Sequence, residues 1–507
     1  MPSPRVSRRN FLTGATVLVA TSLIGKALDR STAEASTDLL ELSATEAVAM
    51  LRRGDVKAED YAAALLARCD AGKQLNAFIS IAPDQVKEAA RAADRRRAAG
   101  AFLGPLHGLP IPIKDSVNTR DYPTTSGTAA LRSFRPKDDA PVVRALRDAG
   151  GIVLGKTNLH ELSFGWTSTN LSFGAVKNPY DPTRIPGGSS GGTAVAVATR
   201  MAPLGVAEDT AGSIRVPAAM CAIAGFRPTT FRYSPRGVMP LTSVFDTIGP
   251  HARTVGDLAL FDSVVTSDGS PLRPVALRGV RLGVSRLHYF ADLDPEVARV
   301  AEEALKKLRD AGVVLVEADV PDVARLVTAA NSPIILHEAR PMIQRYLEEF
   351  ETGVTWDQLF ASVGENVRRP FAASALPGGQ FRPPDEAYVQ ARDVHRPALQ
   401  QAFRDYFCKT AVAAIVYPTT LVPATPIGQD QEVEIGGKKM PFRVAMSRNI
   451  APGSCAGIPG VVLCAGLTSG GLPVGVEFDG PAGSDRDLLA LGQALEAVLG
   501  RPPAPRI

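Results

Sequence analysis

Cysteine is scarce: Cys69, Cys221, Cys408, Cys455 and Cys464 are the five in 507 residues, and no two form a CxxC pair. An odd, scattered set at that density excludes a disulfide-built scaffold and predicts buried free thiols. Histidine is nearly as rare. His107, His160, His251, His288, His337 and His395 include no HExxH and no close pair, so neither a metal site nor a Ser/His/Asp triad is expected of them. No repeat of 20 to 50 residues recurs, which removes solenoids and propellers. Charge of one sign is lacking as well: 56 basic against 52 acidic side chains leave a net +4, too little for a nucleic-acid partner. A hydrophobic run long enough to cross a ~30 Å hydrocarbon layer is also missing, so no stable membrane insertion is expected. What is present is a chain 45% hydrophobic and 21% charged, enough apolar material for a large core. Its 45 glycines and 40 prolines are spread throughout, which implies many turns and no low-complexity linker.

The amino terminus is set apart from fold reasoning. Ser7-Arg8-Arg9-Asn10-Phe11-Leu12 places paired arginines ahead of a 12-residue apolar stretch, Gly14 to Gly25, and Ala33-Glu34-Ala35 offers small residues to a peptidase. That order reads as a cleaved twin-arginine export signal over residues 1–35, and predicts a periplasmic or secreted protein with the twin-arginine translocation machinery as a transient partner. Residues 1–35 carry five basic and two acidic side chains, so their removal lowers the net charge from +4 to +1. Twin-arginine export carries folded proteins, so the fold should not depend on a disulfide. Residues 36–507 show no composition break and are expected to form a single domain.

Helix and strand signals alternate along that domain. Ser43-Ala-Thr-Glu46 is a capping box opening a helix to about Arg52, and Glu59–Arg68 reads as a second helix. Asp139 is expected to cap a helix through Asp148, with Gly150-Gly151 ending it before the buried strand Ile152-Val153-Leu154. Asp294-Pro295 opens another helix, ended by Ala311-Gly312 ahead of a strand over Val313–Val316. The alternation predicts an α/β architecture with a large, twisted and substantially parallel sheet.

Candidate chemistry concentrates between Gly108 and Arg215. In Gly108-Leu-Pro-Ile-Pro-Ile-Lys114-Asp115 a lysine ends an apolar, proline-stiffened stretch, where desolvation would favour its neutral, basic form. Alone, the signal is weak, since most lysines are solvated surface charges. Gly187-Gly188-Ser189-Ser190-Gly191-Gly192 sets two hydroxyls in a glycine-rich loop, with a helix expected from Thr193 to Arg200. The loop contains GxSxG, yet the prolines at 182 and 186 break the strand that a nucleophile elbow requires, which argues against an α/β-hydrolase. A catalytic loop and a merely flexible one both remain open at this point. In Asp209-Thr210-Ala211-Gly212-Ser213-Ile214-Arg215 a serine follows small residues whose N–H groups can converge on an oxyanion, with an acid and an arginine flanking the turn.

Together, these three elements resemble the amidase signature family. They fall in the family's order, Ser189 and Ser213 are separated by its typical 24 residues, and likeness continues through Gly225–Thr229, Asp246–Pro250, Gly457–Gly460 and Gly471–Gly475. The resemblance implies the amidase signature fold, a large mixed sheet covered by helices on both faces. It implies Ser213 as nucleophile, Ser189 as bridging serine after a cis Gly188–Ser189 bond, and Lys114 as terminal base. Thr210, Ala211 and Gly212 would supply the oxyanion hole, together with the Ser213 N–H; Gly188, Asp209 and Arg215 would support the loops. No metal or organic cofactor is implied, and a homodimer is compatible with the family. Two positions depart from the family's pattern. Ala211 replaces the first of two usual glycines, where its Cβ would narrow the hole or resist a positive φ, and Glu208 stands where small or hydroxyl residues are common.

Scaffold segments at Leu159–Thr169, Phe173–Pro179 and Phe226–Thr230 are similar to bacterial amidases of the mandelamide and indoleacetamide hydrolase type. The implied substrate is a small arylacetamide-type primary amide, cleaved to the acid and ammonia. His160, Phe164 and Trp166 are expected near the site, as pocket aromatics or as ordinary core. Ser270–Met446 carries no readable motif and is expected to supply much of the substrate wall. Alternatives within the family are an exported aryl acylamidase or esterase, or an amidotransferase-like subunit acting with partners, the last contradicted by an export signal.

Overall fold

A computed structural model describes residues 38–506; the proposed export signal lies outside them. Thirteen strands occur among the described residues: β1 (Phe78–Ile81), β2 (Pro110–Lys114), β3 (Ile152–Thr157), β4 (Leu204–Asp209), β5 (Ala224–Arg227), β6 (Thr247–Ala252) and β7 (Arg281–Val284) come first. β8 (Val314–Glu317), β9 (Ala414–Pro418), β10 (Glu432–Ile435), β11 (Lys438–Pro441), β12 (Gly460–Leu467) and β13 (Pro473–Asp479) complete them. Eleven form one sheet in the order β1-β3-β2-β4-β6-β5-β12-β13-β9-β7-β8, and β10 and β11 form a separate hairpin. Every residue of β2, β3, β4, β5, β6, β9 and β13 is buried, so the central sheet is covered on both faces. The fold is α/β with a mixed sheet.

Direction is where the expectation needs correcting. β2 runs parallel to β3 and β4, and β7 runs parallel to β8 and β9. The run from β4 through β6, β5, β12 and β13 to β9 is antiparallel throughout. Apolar runs report burial on both faces and carry no information on strand direction, which is why alternation alone suggested a more parallel sheet.

Local signals mostly specify the elements they should. Ser43 and Glu46 form the reciprocal capping box of helix Ala44–Arg53, which ends on Gly54. Asp294 accepts from the N–H groups of Glu296 and Val297 at the head of helix Pro295–Asp310. The helix expected from Glu59 to Arg68 spans Ala58–Ala71, and the strand expected at Val313–Val316 is β8. The Asp139 cap does not form: helix Pro141–Asp148 starts after Ala140, and the Asp139 carboxylate instead accepts from the Arg120 N–H at 3.0 Å and pairs with Arg147 at 3.1 Å. A nearby guanidinium competes successfully for that carboxylate, while Pro141 needs no donor partner. The helix expected at Thr193–Arg200 spans Gly191–Ala198 and is wholly buried. A Cβ on Gly192 would lie 2.3 Å from the Asn158 carbonyl oxygen, so glycine is what lets this helix begin against the chain leaving β3.

Cys69, Cys221, Cys455 and Cys464 are buried and Cys408 is exposed, all as free thiols. No helix among the described residues is long and apolar enough to cross a membrane.

Candidate active site

Topology assembles the site. β2 and β4 are parallel neighbours, with Ile113 registered on Val206, so their carboxyl ends lie side by side. Lys114 ends β2, while Glu208 and Asp209 end β4. The loop after β3 and the glycine-rich loop ahead of helix Gly191–Ala198 reach over the same ends.

Lys114 is fully buried. Its Nζ donates to Ser189 Oγ at 2.6 Å and to Glu208 Oε1 at 2.5 Å. Burial pushes the lysine below its ordinary range, while the charges of Glu208, Asp209 and Asp246 oppose that fall. Ser163 Oγ donates to the same Glu208 oxygen at 2.5 Å.

The Gly188–Ser189 peptide bond is cis. The Ser189 carbonyl accepts from the His160 N–H at 3.1 Å and from Ser168 Oγ at 3.2 Å, and Ser168 Oγ also accepts from the Gly191 N–H. Ser190 binds the serine turn, donating its N–H to the Ser213 carbonyl at 3.3 Å and its hydroxyl to the Glu208 carbonyl at 3.1 Å. Ser213 is thereby tied to the Ser189 loop through backbone. Among the described residues its hydroxyl makes no protein hydrogen bond, so the structure joins Lys114 to Ser189 directly and Ser213 only through the neighbouring main chain.

Asp209 organises the turn. Its carboxylate accepts from the N–H groups of Gly212 at 2.8 Å and Ile214 at 3.0 Å, and pairs with Arg215 at 3.1 Å and Arg227 at 3.3 Å. Burial alone would raise this carboxyl, but the two guanidiniums and the Gly212 N–H outweigh it and hold it well below the usual range. The Gly212 N–H is therefore committed to Asp209, which removes it from the expected set of oxyanion donors. No protein acceptor engages the N–H of Ala211 or Ser213 among the described residues.

Ala211 fits without strain. The positive φ of the turn falls on Gly212, at 109°, and Ala211 is not among the positive-φ residues. The Ala211 carbonyl accepts from the Trp166 indole at 2.9 Å. A Cβ at Gly212 would lie 1.9 Å from Ile450 Cδ1, in a packed cluster with Val216 and Met446. Gly212→Ala is expected to cost about 2 kcal/mol, from the positive φ and the collision together, measured as a fall in denaturant midpoint at unchanged m-value.

A cavity of about 520 Å³ opens beside Glu208. Asp246, Phe231, Tyr346 and Phe350 line it, with Arg236 and Arg345 also in the wall. Asp246 accepts from Thr210 Oγ1 at 2.7 Å, which links the cavity to the serine turn, and burial raises its carboxyl to about 6. The motif-poor segment supplies one wall through helix Val323–Glu349, and residues 231–248 supply the other. Of the two readings open for the aromatics, core packing is the one the structure agrees with. Phe164 packs on Phe371 with ring centroids 4.7 Å apart, Trp166 serves the Ala211 carbonyl, and neither lines the cavity. His160 is buried and bonded to Thr167, with burial and then the Lys114 charge lowering it to about 3, so its imidazole is neutral. Among the described residues no three His, Cys, Asp or Glu side chains are arranged to hold a metal.

Sequence reasoning noted Glu208 without explaining it and missed Ser163. The available signal was that Val206 and Glu208 share a strand face beside β2, legible only once the β2–β4 pairing is known.

The family model described as Amidase matches residues 60–489. The chain belongs to the amidase signature family. This amidase is an enzyme acting on amides. It is 39% identical over 461 residues to an indoleacetamide hydrolase of Agrobacterium vitis, covering 90% of this chain and 97% of that one. It is 37% identical to a mandelamide hydrolase of Pseudomonas putida, covering 92% and 93%. A native peptide amidase from Stenotrophomonas maltophilia superposes with a TM-score of 0.76 at 29% identity, covering 92% of this amidase and 98% of that chain.

Proposed function

We propose that this amidase hydrolyses a small arylacetamide-type primary amide to the carboxylic acid and ammonia, through an acyl-enzyme on Ser213. The observation that carries the mechanism is the 2.6 Å bond from buried Lys114 to Ser189, beside the turn bearing Ser213. Support for the substrate class comes from the indoleacetamide and mandelamide hydrolases to which the chain is similar.

Ser213 Oγ attacks the amide carbon as its proton passes to Ser189 Oγ and the Ser189 proton passes to neutral Lys114. The new C–O bond pushes the carbonyl electron pair onto oxygen, where the N–H groups of Ala211 and Ser213, with Thr210 nearby, stabilise it. Collapse of that intermediate breaks the C–N bond. The Lys114 proton returns through Ser189 to the departing nitrogen, and ammonia leaves. Water then enters by the same relay and releases the acid. The sequence at 7–35 supports export by the twin-arginine route to the periplasm or exterior, with residues 36–507 as the mature domain.

The test is ammonia release from arylacetamides, aliphatic amides and glutamine, across pH. Arylacetamides are expected to react best, and activity should rise with pH through a group titrating below the ~10.4 of an ordinary lysine, because burial disfavours the ammonium. Reaction of anilides or esters alone would discard the substrate class while leaving the relay. An acid limb at the ordinary lysine value would discard neutral Lys114 as the base.

A further inference from the structure

The relay has a neighbour that the reading above does not use. Glu208 lies at the end of β4, 3% exposed, and one oxygen, Oε1, receives both Lys114 Nζ and Ser163 Oγ, each at 2.5 Å. Lys114 Nζ thus touches Ser189 and Glu208 together. When Lys114 is neutral, its lone pair can face the Ser189 hydroxyl while an N–H points to Glu208. That geometry fixes the direction from which the proton is received. On proton arrival, a cation forms in a fully buried site, and an uncompensated buried cation is costly.

We propose that Glu208 is a fourth member of the relay, a positioning residue that aims Lys114 at Ser189 and stabilises the ammonium formed as the proton arrives. Its place resembles that of the carboxylate behind the imidazole in a Ser/His/Asp triad, which orients the base and balances its charge without itself taking the proton. Ser163 holds the carboxylate in turn. Other charged or titratable groups around Lys114 are accounted for differently. Asp209 is engaged by Arg215 and Arg227, and Asp246 by Thr210 and the N–H groups of Leu241 and Thr242. His160 and His251 are buried and lowered by burial, with the Lys114 charge adding to the fall. On β3, Lys156 pairs with Asp115 at 3.3 Å. Among these, Glu208 is the carboxylate that contacts Nζ. The inference rests on the Ser213–Ser189–Lys114 reading.

The experiment is the pH dependence of kcat/KM for Glu208→Gln, Glu208→Ser and Ser163→Ala, beside wild type and Ser213→Ala. A carboxylate beside a lysine favours its charged form, so removing it favours the neutral form, and the acid limb should move to lower pH by about one unit or more. The loss of ammonium stabilisation should lower the plateau kcat by about tenfold or more. Ser163→Ala leaves Lys114 and Glu208 intact and removes one donor from Oε1. The carboxylate then presents more charge to Nζ, and the limb should move the opposite way, by about half a unit. A limb unmoved in Ser163→Ala and in whichever Glu208 variant folds would overturn the proposal. If both Glu208 variants fail to fold, Ser163→Ala decides. Activity retained in Ser213→Ala would discard the underlying relay, whereas an inactive Ser213→Ala with unmoved limbs would discard the role of Glu208 alone.

Discussion

Ser213→Ala is expected to lower ammonia release by about 10⁴-fold or more, the scale on which removal of a nucleophile is felt in serine hydrolases. Stability should be almost unchanged. The Ser213 hydroxyl has no protein partner among the described residues, so its removal strands no buried donor or acceptor. That separation makes Ser213→Ala a cleaner probe than Lys114→Ala, which would leave the Glu208 carboxylate buried opposite a void. Steady-state kinetics and a thermal melt on the same preparation check both halves. Loss of activity with a matching loss of melting temperature would point to misfolding, and activity within tenfold of wild type would remove Ser213 as the nucleophile.

Arg215→Leu carries the largest expected stability effect, about 3 to 5 kcal/mol. Arg215 is fully buried and pairs with Asp209 at 3.1 Å and Glu477 at 2.9 Å, and it donates to the Ile450 carbonyl and to Ser454. Truncation leaves carboxylates without their nearest cation. It also loosens Asp209, whose oxygens hold the N–H groups of Gly212 and Ile214, so activity should fall with stability. The pH dependence has a definite sign. Asp209 is depressed in the folded protein, so its contribution is fully present above the unfolded value of ~3.9 and is lost as pH falls through its lower folded value. Urea titrations between pH 4 and 8 should therefore show the wild-type Asp209 contribution intact, with Arg215→Leu deficient throughout. A variant within about 1 kcal/mol of wild type would show that Arg227 alone balances Asp209.

The site was legible where chemistry is local in the chain. Lys114, Ser189 and Ser213 each sit in a short segment that resembles a motif of the family, and Asp209 and Arg215 lie six positions apart, so the resemblance of local segments singles them out. Caps at Ser43 and Asp294 were readable for the same reason: the accepting oxygen and the donated N–H lie within three residues. Asp139 shows where this fails, since its partners are Arg120, 19 residues back, and Arg147 across the helix. Glu208 shows it more strongly. Its contact with Lys114 crosses 94 residues and depends on the parallel pairing of β2 and β4. The cavity wall on helix Val323–Glu349 was expected only as far as the segment Ser270–Met446, without its residues. Pro333 and Pro341 interrupt its interior, and its apolar positions pack a core instead of spelling a motif.

The bond from Arg215 to Glu477 joins residues 262 positions apart. Until the chain has grown through Glu477, Arg215 lacks one of its two carboxylates, and until it has grown through Leu467, β5 lacks β12, its neighbour across the sheet. Contacts of such sequence separation form late, after the entropy of closing a long loop has been met. The turn bearing Ser213 is therefore braced in full only once the strand that carries Glu477 has joined the sheet.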